Sequence, residues 1–241
     1  MLEPVDSAVS NTAVRKDVWV RIPPAAPVPD LLEFDCRASP PDVTLCVDRR
    51  DIGASYAYLL GIYLGDGWLT LGPKRVWRLR VSLDARYPDI IDRSAAAMRE
   101  VSGRITGRVL RIGCYEIYSN WKHWLCLFPQ HGPGPKHRRA IELAPWQQAI
   151  ASVYPVELVR GLIHSDGCRA INRITHLRND EIKRYEYVRY FFSNHSTGIQ
   201  QIFIDTCRAI GVEARPNNRF SISVARRESV AILEACVGPK L

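Results

Sequence analysis

The stretch Leu59-Leu60-Gly61-Ile62-Tyr63-Leu64-Gly65-Asp66-Gly67 returns about 100 residues later as Val159-Arg160-Gly161-Leu162-Ile163-His164-Ser165-Asp166-Gly167, with Gly61 over Gly161 and Asp66 over Asp166. Self-similarity at a fixed spacing means one supersecondary unit used twice, and two copies in one chain imply a pseudo-two-fold assembly. The surrounding pattern repeats as well. Around the first copy it predicts an apolar helix from Tyr56 to Asp66, a strand pair, a helix from about Pro88 to Val101, strands between Arg104 and Ser119, and helical segments to Tyr154. The second copy predicts a helix over 155–166, strands near 169–174 and 187–193, a helix over 197–210, strands ending at Val224 and a last helix to Val237. The order is αββαββα twice. This is an α+β fold of two repeats, 53–153 and 154–241, packed through their first helices.

Gly61 and Gly65 are four residues apart, as are Gly161 and Ser165, so each pair lies on one helix face where small side chains let two backbones approach. Asp66 and Asp166 then leave adjacent helix C-termini. There the negative dipole end and a neighbouring carboxylate both disfavour ionisation unless a cation is present. Two carboxylates, nearby carbonyls, water and phosphate form an oxygen donor set suited to Mg²⁺ or its relatives and to phosphodiester hydrolysis. The plainer reading is that Asp-Gly only ends a helix; two copies in register, each followed by strands, weigh against it.

With these motifs, their spacing and the element order, residues 56–241 resemble the single-chain, two-motif form of the LAGLIDADG homing endonucleases. The opening Leu-Ala of the motif is relaxed to Leu59-Leu60 and Val159-Arg160, and Leu64 and His164 replace the acidic residue at its sixth position. The resemblance implies a metal-dependent, site-specific DNA endonuclease of a mobile, intron-homing type, each half cutting one strand of double-stranded DNA. It implies catalysis by Asp66 and Asp166, which would hold Mg²⁺ or Mn²⁺ with the Gly65 and Ser165 carbonyls. It also implies two saddle-like sheets on the DNA and a basic residue supplied after the later strands. Lys122 is the choice for that residue, with Arg226 as its counterpart. Two alternatives stay open: a non-cleaving DNA-binding protein on the same scaffold, such as a transcription regulator or intron maturase, and a basic module that binds any polyanion.

From Val76 to Leu83 the alternation is strict, with Trp77, Leu79, Val81 and Leu83 on one face and Arg78, Arg80 and Ser82 on the other. The second copy sets Tyr187, Arg189, Phe191 and Ser193 against Val188, Tyr190 and Phe192. Arg108, Arg111, Asn172, Arg173, Ser221 and Ser223 extend the candidate DNA surface, for which a solvated outer strand face is the plain alternative. Arginine can bridge O6 and N7 of guanine in the major groove.

Composition sets the bounds. With 46% hydrophobic and 24% charged residues among 241, the chain is not disordered as a whole. The net charge of +8 is uneven: residues 68–138 carry thirteen basic and five acidic groups, and residues 1–55 carry six and nine. The basic excess therefore belongs to the folded part, as a polyanion partner requires. Residues 1–52 contain seven of the prolines, among them Pro23, Pro24, Pro27, Pro29, Pro40 and Pro41, without hydrophobic period and read as a tail. There Trp19 to Pro24 can be encoded by the T-arm consensus of a transfer RNA gene, so the natural start is expected downstream. Seven cysteines form no CxxC pair and read as reduced, mostly buried thiols. His123, Cys126, His131 and His137 match no zinc spacing, and Phe128 to His137 reads as a rigid linker. Gly134-Pro135-Lys136 and Gly238-Pro239-Lys240 end the two copies alike. No apolar run reaches membrane length, and a monomeric, intracellular, cytoplasmic protein is expected.

Overall fold

The structure, a computed structural model, describes residues 53–178 and 181–238. The tail, Cys36, Cys46 and Lys240 lie outside the described residues. Helix α1 (Gly53–Asp66) is followed by β1 (Gly67–Leu71), β2 (Trp77–Asp84), α2 (Pro88–Ser102), β3 (Thr106–Arg111) and β4 (Cys114–Asn120). A connecting region holds α3 (Trp124–Leu127), a 3-10 turn (Lys136–Arg138) and α4 (Pro145–Val153). The pattern then repeats as α5 (Pro155–Asp166), β5 (Gly167–Arg178), β6 (Glu181–Ser193), α6 (Thr197–Ala209), β7 (Arg215–Asn218), β8 (Ser221–Val224) and α7 (Arg227–Val237). Each half is a four-stranded antiparallel sheet, and the strand order is the same in both: β1-β2-β4-β3 and β5-β6-β8-β7. The fold is α+β, as the periodicities predict.

Helix α1 is apolar all round and buried from Tyr56 to Leu64, the state of a helix enclosed on every side. It crosses α5 at the small residues. A Cβ on Gly61 would stand 2.6 Å from both the carbonyl oxygen of Leu158 and the amide nitrogen of Leu162, and one on Gly161 would run into the Tyr58 carbonyl. The backbones touch there, which no larger residue allows. Away from the crossing, α2 starts with Pro88 at its first turn and stops at Gly103, whose φ of 64° supplies the left-handed cap. One face of each sheet packs on the helices: Leu79, Val81, Leu83 and Ile117 in the first, and Tyr190, Phe192, Ile222 and Val224 in the second.

The long hairpin β5–β6 departs from expectation. Its ladder runs from Gly167↔Phe192 out to Arg178↔Glu181, well past the predicted strand ends. Ile182, Arg184, Tyr185 and Glu186 are exposed, so this outer part projects beyond the core and lacks the apolar–polar alternation that marks a half-buried strand. The thiols also differ from expectation: among the five described cysteines, all free, only Cys207 is buried and Cys168 is exposed. No helix among the described residues is long and apolar enough to cross a membrane.

Candidate active site and nucleic-acid interface

Because α1 and α5 cross at glycines, their C-termini end side by side, and each passes directly into the first strand of its sheet. Asp66 and Asp166 line one cavity of about 540 Å³ together with Gly65, Gly67, Trp68, Lys136, His137, Arg139, Ser193, Asn194 and His195. A Cβ on Gly65 would fall 3.0 Å from the Asp166 carboxyl carbon and collide with the Ser165 side chain, so glycine there keeps open the space beside the carboxylate. Asn194 donates from Nδ2 to Oδ2 of Asp166 at 2.5 Å. Asn194 is itself fixed, since its Oδ1 accepts from the Ser196 amide at 2.8 Å and its carbonyl from Gln200 at 2.7 Å. Ser165 turns its hydroxyl back to the carbonyls of Gly161 (3.1 Å) and Leu162 (3.0 Å).

The lysine of this cavity is Lys136 and not Lys122. Lys122 is exposed beyond β4 and does not line the cavity. Arg226, its proposed counterpart, precedes α7 and pairs with Glu213 at 2.6 Å. Lys136 arrives from the segment that reads as a linker. Its Nζ donates to the carbonyls of Gly67 (2.6 Å), Leu64 (3.1 Å) and Gly65 (3.3 Å), contacts that of Tyr63, and lies 4.6 Å from the centre of the Tyr63 ring. The carbonyls of Tyr63, Leu64 and Gly65 belong to the last turn of α1, whose negative dipole end attracts a cation. Burial lowers the Lys136 pKa to about 8, and the carboxylates of Asp166 and then Asp66 oppose that shift. The segment is held by a buried amide pair: Gln130 donates to Gln147 Oε1 at 2.5 Å, and Gln147 donates to the Tyr56 hydroxyl at 2.8 Å. Arg139 adds a second cation, half-buried, whose Nε and Nη1 are enclosed without a hydrogen-bond partner. Sequence reasoning missed Lys136, Arg139 and Asn194. The one available signal was the Gly-Pro-Lys that closes each copy.

The donor set fits a hard divalent cation. Two carboxylates and the adjoining carbonyls are all oxygen, and Gly65 leaves the room a Cβ would take. No cluster of three His, Cys, Asp or Glu side chains exists among the described residues, so such an ion would rely on carbonyls, water and phosphate for its remaining ligands. His164 is elsewhere: it is buried, with Nδ1 3.0 Å from the Tyr58 hydroxyl. His123 packs on Trp121 and His131 on Trp77, which separates the histidines of the considered zinc cluster.

Strand register sorts the predicted DNA-binding residues by face. Directly opposed residues point the same way, so Trp68, Arg80 and Tyr118 share the open face with Thr70, Arg78 and Asn120 and with Ser82, Glu116, Val109 and Arg111. Arg108 lies opposite Ile117 on the other face and pairs with Asp92 of α2 at 2.5 Å. In the second sheet Asn172, Tyr187, Arg189 and Ser223 are on the open face, as expected. Arg173 is not: it follows Asn172 in the same strand, points oppositely and pairs with Glu186 at 2.7 Å. Ser221 faces the open side but is buried in the sheet. Glu116 sits in the middle of the first open face, 2.8 Å from Arg80 and 3.8 Å from Arg111. Trp68 and Ser193 belong to the open faces and also line the cavity, so the two faces flank it.

No protein-family model and no curated protein matches the chain. Solved structures do. That of the homing endonuclease I-DmoI in complex with DNA and Ca superposes with a TM-score of 0.50, covering 78% of this chain and 91% of that one at 13% identity. In fold, the chain is similar to I-DmoI. Two further matches are the LAGLIDADG meganuclease I-AabMI bound to uncleaved DNA (TM-score 0.48, 8% identity, 75% of this chain, 83% of that one) and the N-terminal LAGLIDADG domain of DUF199/WhiA (0.47, 11%, 81% and 88%). At these identities the likeness, I-DmoI included, is one of fold.

Proposed function

We propose that this chain is a site-specific, metal-dependent DNA endonuclease. The observation that carries the reading is the convergence of Asp66, Asp166 and Lys136 on one cavity flanked by two open sheet faces. Asp66 and Asp166, with the carbonyls of Gly65 and Ser165, would hold Mg²⁺ or Mn²⁺. Such a cation, when bound, supplies Lewis acidity toward the scissile phosphate. The chain's own groups position the rest. Lys136 fixes the Gly65–Gly67 backbone and holds positive charge beside both carboxylates, Asn194 orients Asp166, and Arg139 adds positive charge to the cavity wall. The open faces, with Arg78, Arg80, Arg111 and Arg189, lie along a duplex and bring its backbone over the cavity.

The test is incubation of the purified chain with a randomised duplex library, with Mg²⁺ and with EDTA, and sequencing of cut and bound fractions. Metal-dependent cutting at one long site is expected, lost by at least about 10³-fold in Asp66→Asn and Asp166→Asn with binding kept. Cutting that survives in both variants rejects the assignment. Enrichment in the bound fraction without cutting would make the chain a DNA-binding protein on this scaffold.

A further inference from the structure

The ladders of the two halves can be aligned residue for residue. Gly67 opposes Val81 and Gly167 opposes Phe192; three residues further along the first strand, Thr70 opposes Arg78 and Ala170 opposes Arg189. Arg78 and Arg189 therefore hold the same place in the two sheets, both on the open face. Both also lie over a tyrosine, Arg78 4.8 Å from the centre of Tyr118 and Arg189 5.3 Å from that of Tyr187. A guanidinium held over a ring has less freedom to turn, which favours bidentate recognition by its planar fork.

The neighbouring arginines are disposed otherwise. Arg80 gives Nη1 to Glu116 at 2.8 Å, and its place in the second half is taken by Phe191, which cannot read a base by hydrogen bonds. Arg78 gives only Nε, to Asn120 Oδ1 at 2.7 Å, and its two terminal nitrogens make no hydrogen bond among the described residues. It lines an open cleft of about 430 Å³ with Thr70, Gly72, Val76 and Asn120. The ladder of the second half stops at Tyr190↔Val224, one position short of a counterpart to Asn120, and Arg189 Nε is buried without a partner. Arg78 is thus held from two sides and Arg189 from one.

We propose that Arg78 and Arg189 are the guanine-reading residues of the two half-sites, so that the target carries one guanine on each strand, equally displaced from its centre. The inference rests on the DNA-binding part of the function proposed above. Guanine is the base concerned because its O6 and N7 form the paired acceptors that an arginine fork matches in the major groove. Arg78, anchored in advance by Asn120, discriminates more strongly than Arg189, since less freedom is lost on binding.

The test is selection of bound sequences from a randomised duplex library in EDTA, with the full chain and with Arg78→Ala, Arg189→Ala, Arg78→Lys and, on the opposite face, Arg108→Ala. The unaltered chain is expected to enrich two symmetric guanines. Arg78→Ala should erase one of them by roughly 10- to 100-fold and Arg189→Ala the other by less, each leaving its counterpart intact. Arg78→Lys, which keeps the charge and loses the fork, should relax the same position while holding total affinity within a few-fold, and Arg108→Ala should leave both guanines in place. Specific binding in which both guanines survive Arg78→Ala and Arg189→Ala overturns the inference and leaves the proposed function standing. Failure of the unaltered chain to bind any duplex overturns both.

Discussion

The two sheets share a strand order and differ in what they show to solvent. The first open face is basic, with Arg80 and Arg111 on Glu116 and Arg78 beside them; on the second, Tyr185, Tyr187 and Phe191 surround Arg189, and Arg215 stands opposite Ser223. Their hairpins differ too, since β1–β2 pairs from Gly67 to Leu71 and β5–β6 from Gly167 to Arg178. Where backbone meets backbone, at Gly61 and Gly161, the halves are alike. Symmetry is kept where packing admits one solution and lost where side chains meet water or a partner.

The strongest way to break the comparison is at the crossing, where both halves depend on the same contact. Gly161→Val would push a side chain into the Tyr58 carbonyl, and a loss of about 3 kcal/mol or more is expected in urea denaturation. Gly65→Ala meets the Ser165 side chain, which can turn, and should cost about 1 kcal/mol.

Next comes Lys136, which among the described residues hydrogen-bonds at the end of α1 and the residue after it, and so serves the halves unequally. Lys136→Met should slow cutting about 100-fold, leave DNA binding within a few-fold, and let nicked product accumulate through slower cleavage of one strand. The ammonium should lose its proton as pH rises through about 8, read from its ¹³Cε shift. Asp166→Asn, which removes a carboxylate that supports the charged form, should move that midpoint lower.

A smaller effect sharpens the contrast between the open faces. Glu116→Gln releases Arg80 and Arg111 from an acidic partner, so DNA affinity should rise by about 1 kcal/mol or less, with a steeper salt dependence. The smallest effect belongs to the arginines on the opposite faces. Arg108→Ala and Arg173→Ala should change DNA affinity by no more than about 0.5 kcal/mol, which a titration at fixed salt would read.

Much of this is legible in the sequence. The doubled motif named the helix pair, the small residues at its crossing and the two aspartates; alternation from Trp77 to Leu83 named the face that bears Arg78 and Arg80. Strand parity alone would have separated Asn172 from Arg173, because adjacent residues in a strand cannot share a face. The outer β5–β6 hairpin was illegible because a strand with no buried side carries no periodic signal. Lys136 was hidden for a related reason: a segment rich in proline and glycine has no period, and nothing local reveals that its lysine ends under a helix 70 residues away.

Sequence by itself therefore determined the repeat, the element order, the crossing helices and the paired carboxylates, since each follows from spacing along the chain and the geometry of a helix or strand. Tertiary structure alone decided which lysine reaches the carboxylates, which arginines are tied to Glu116, Asp92 and Glu186, and which stay open on a tyrosine. Those choices depend on contacts between residues far apart in the chain, and composition is the same whether an arginine faces a partner or the solvent.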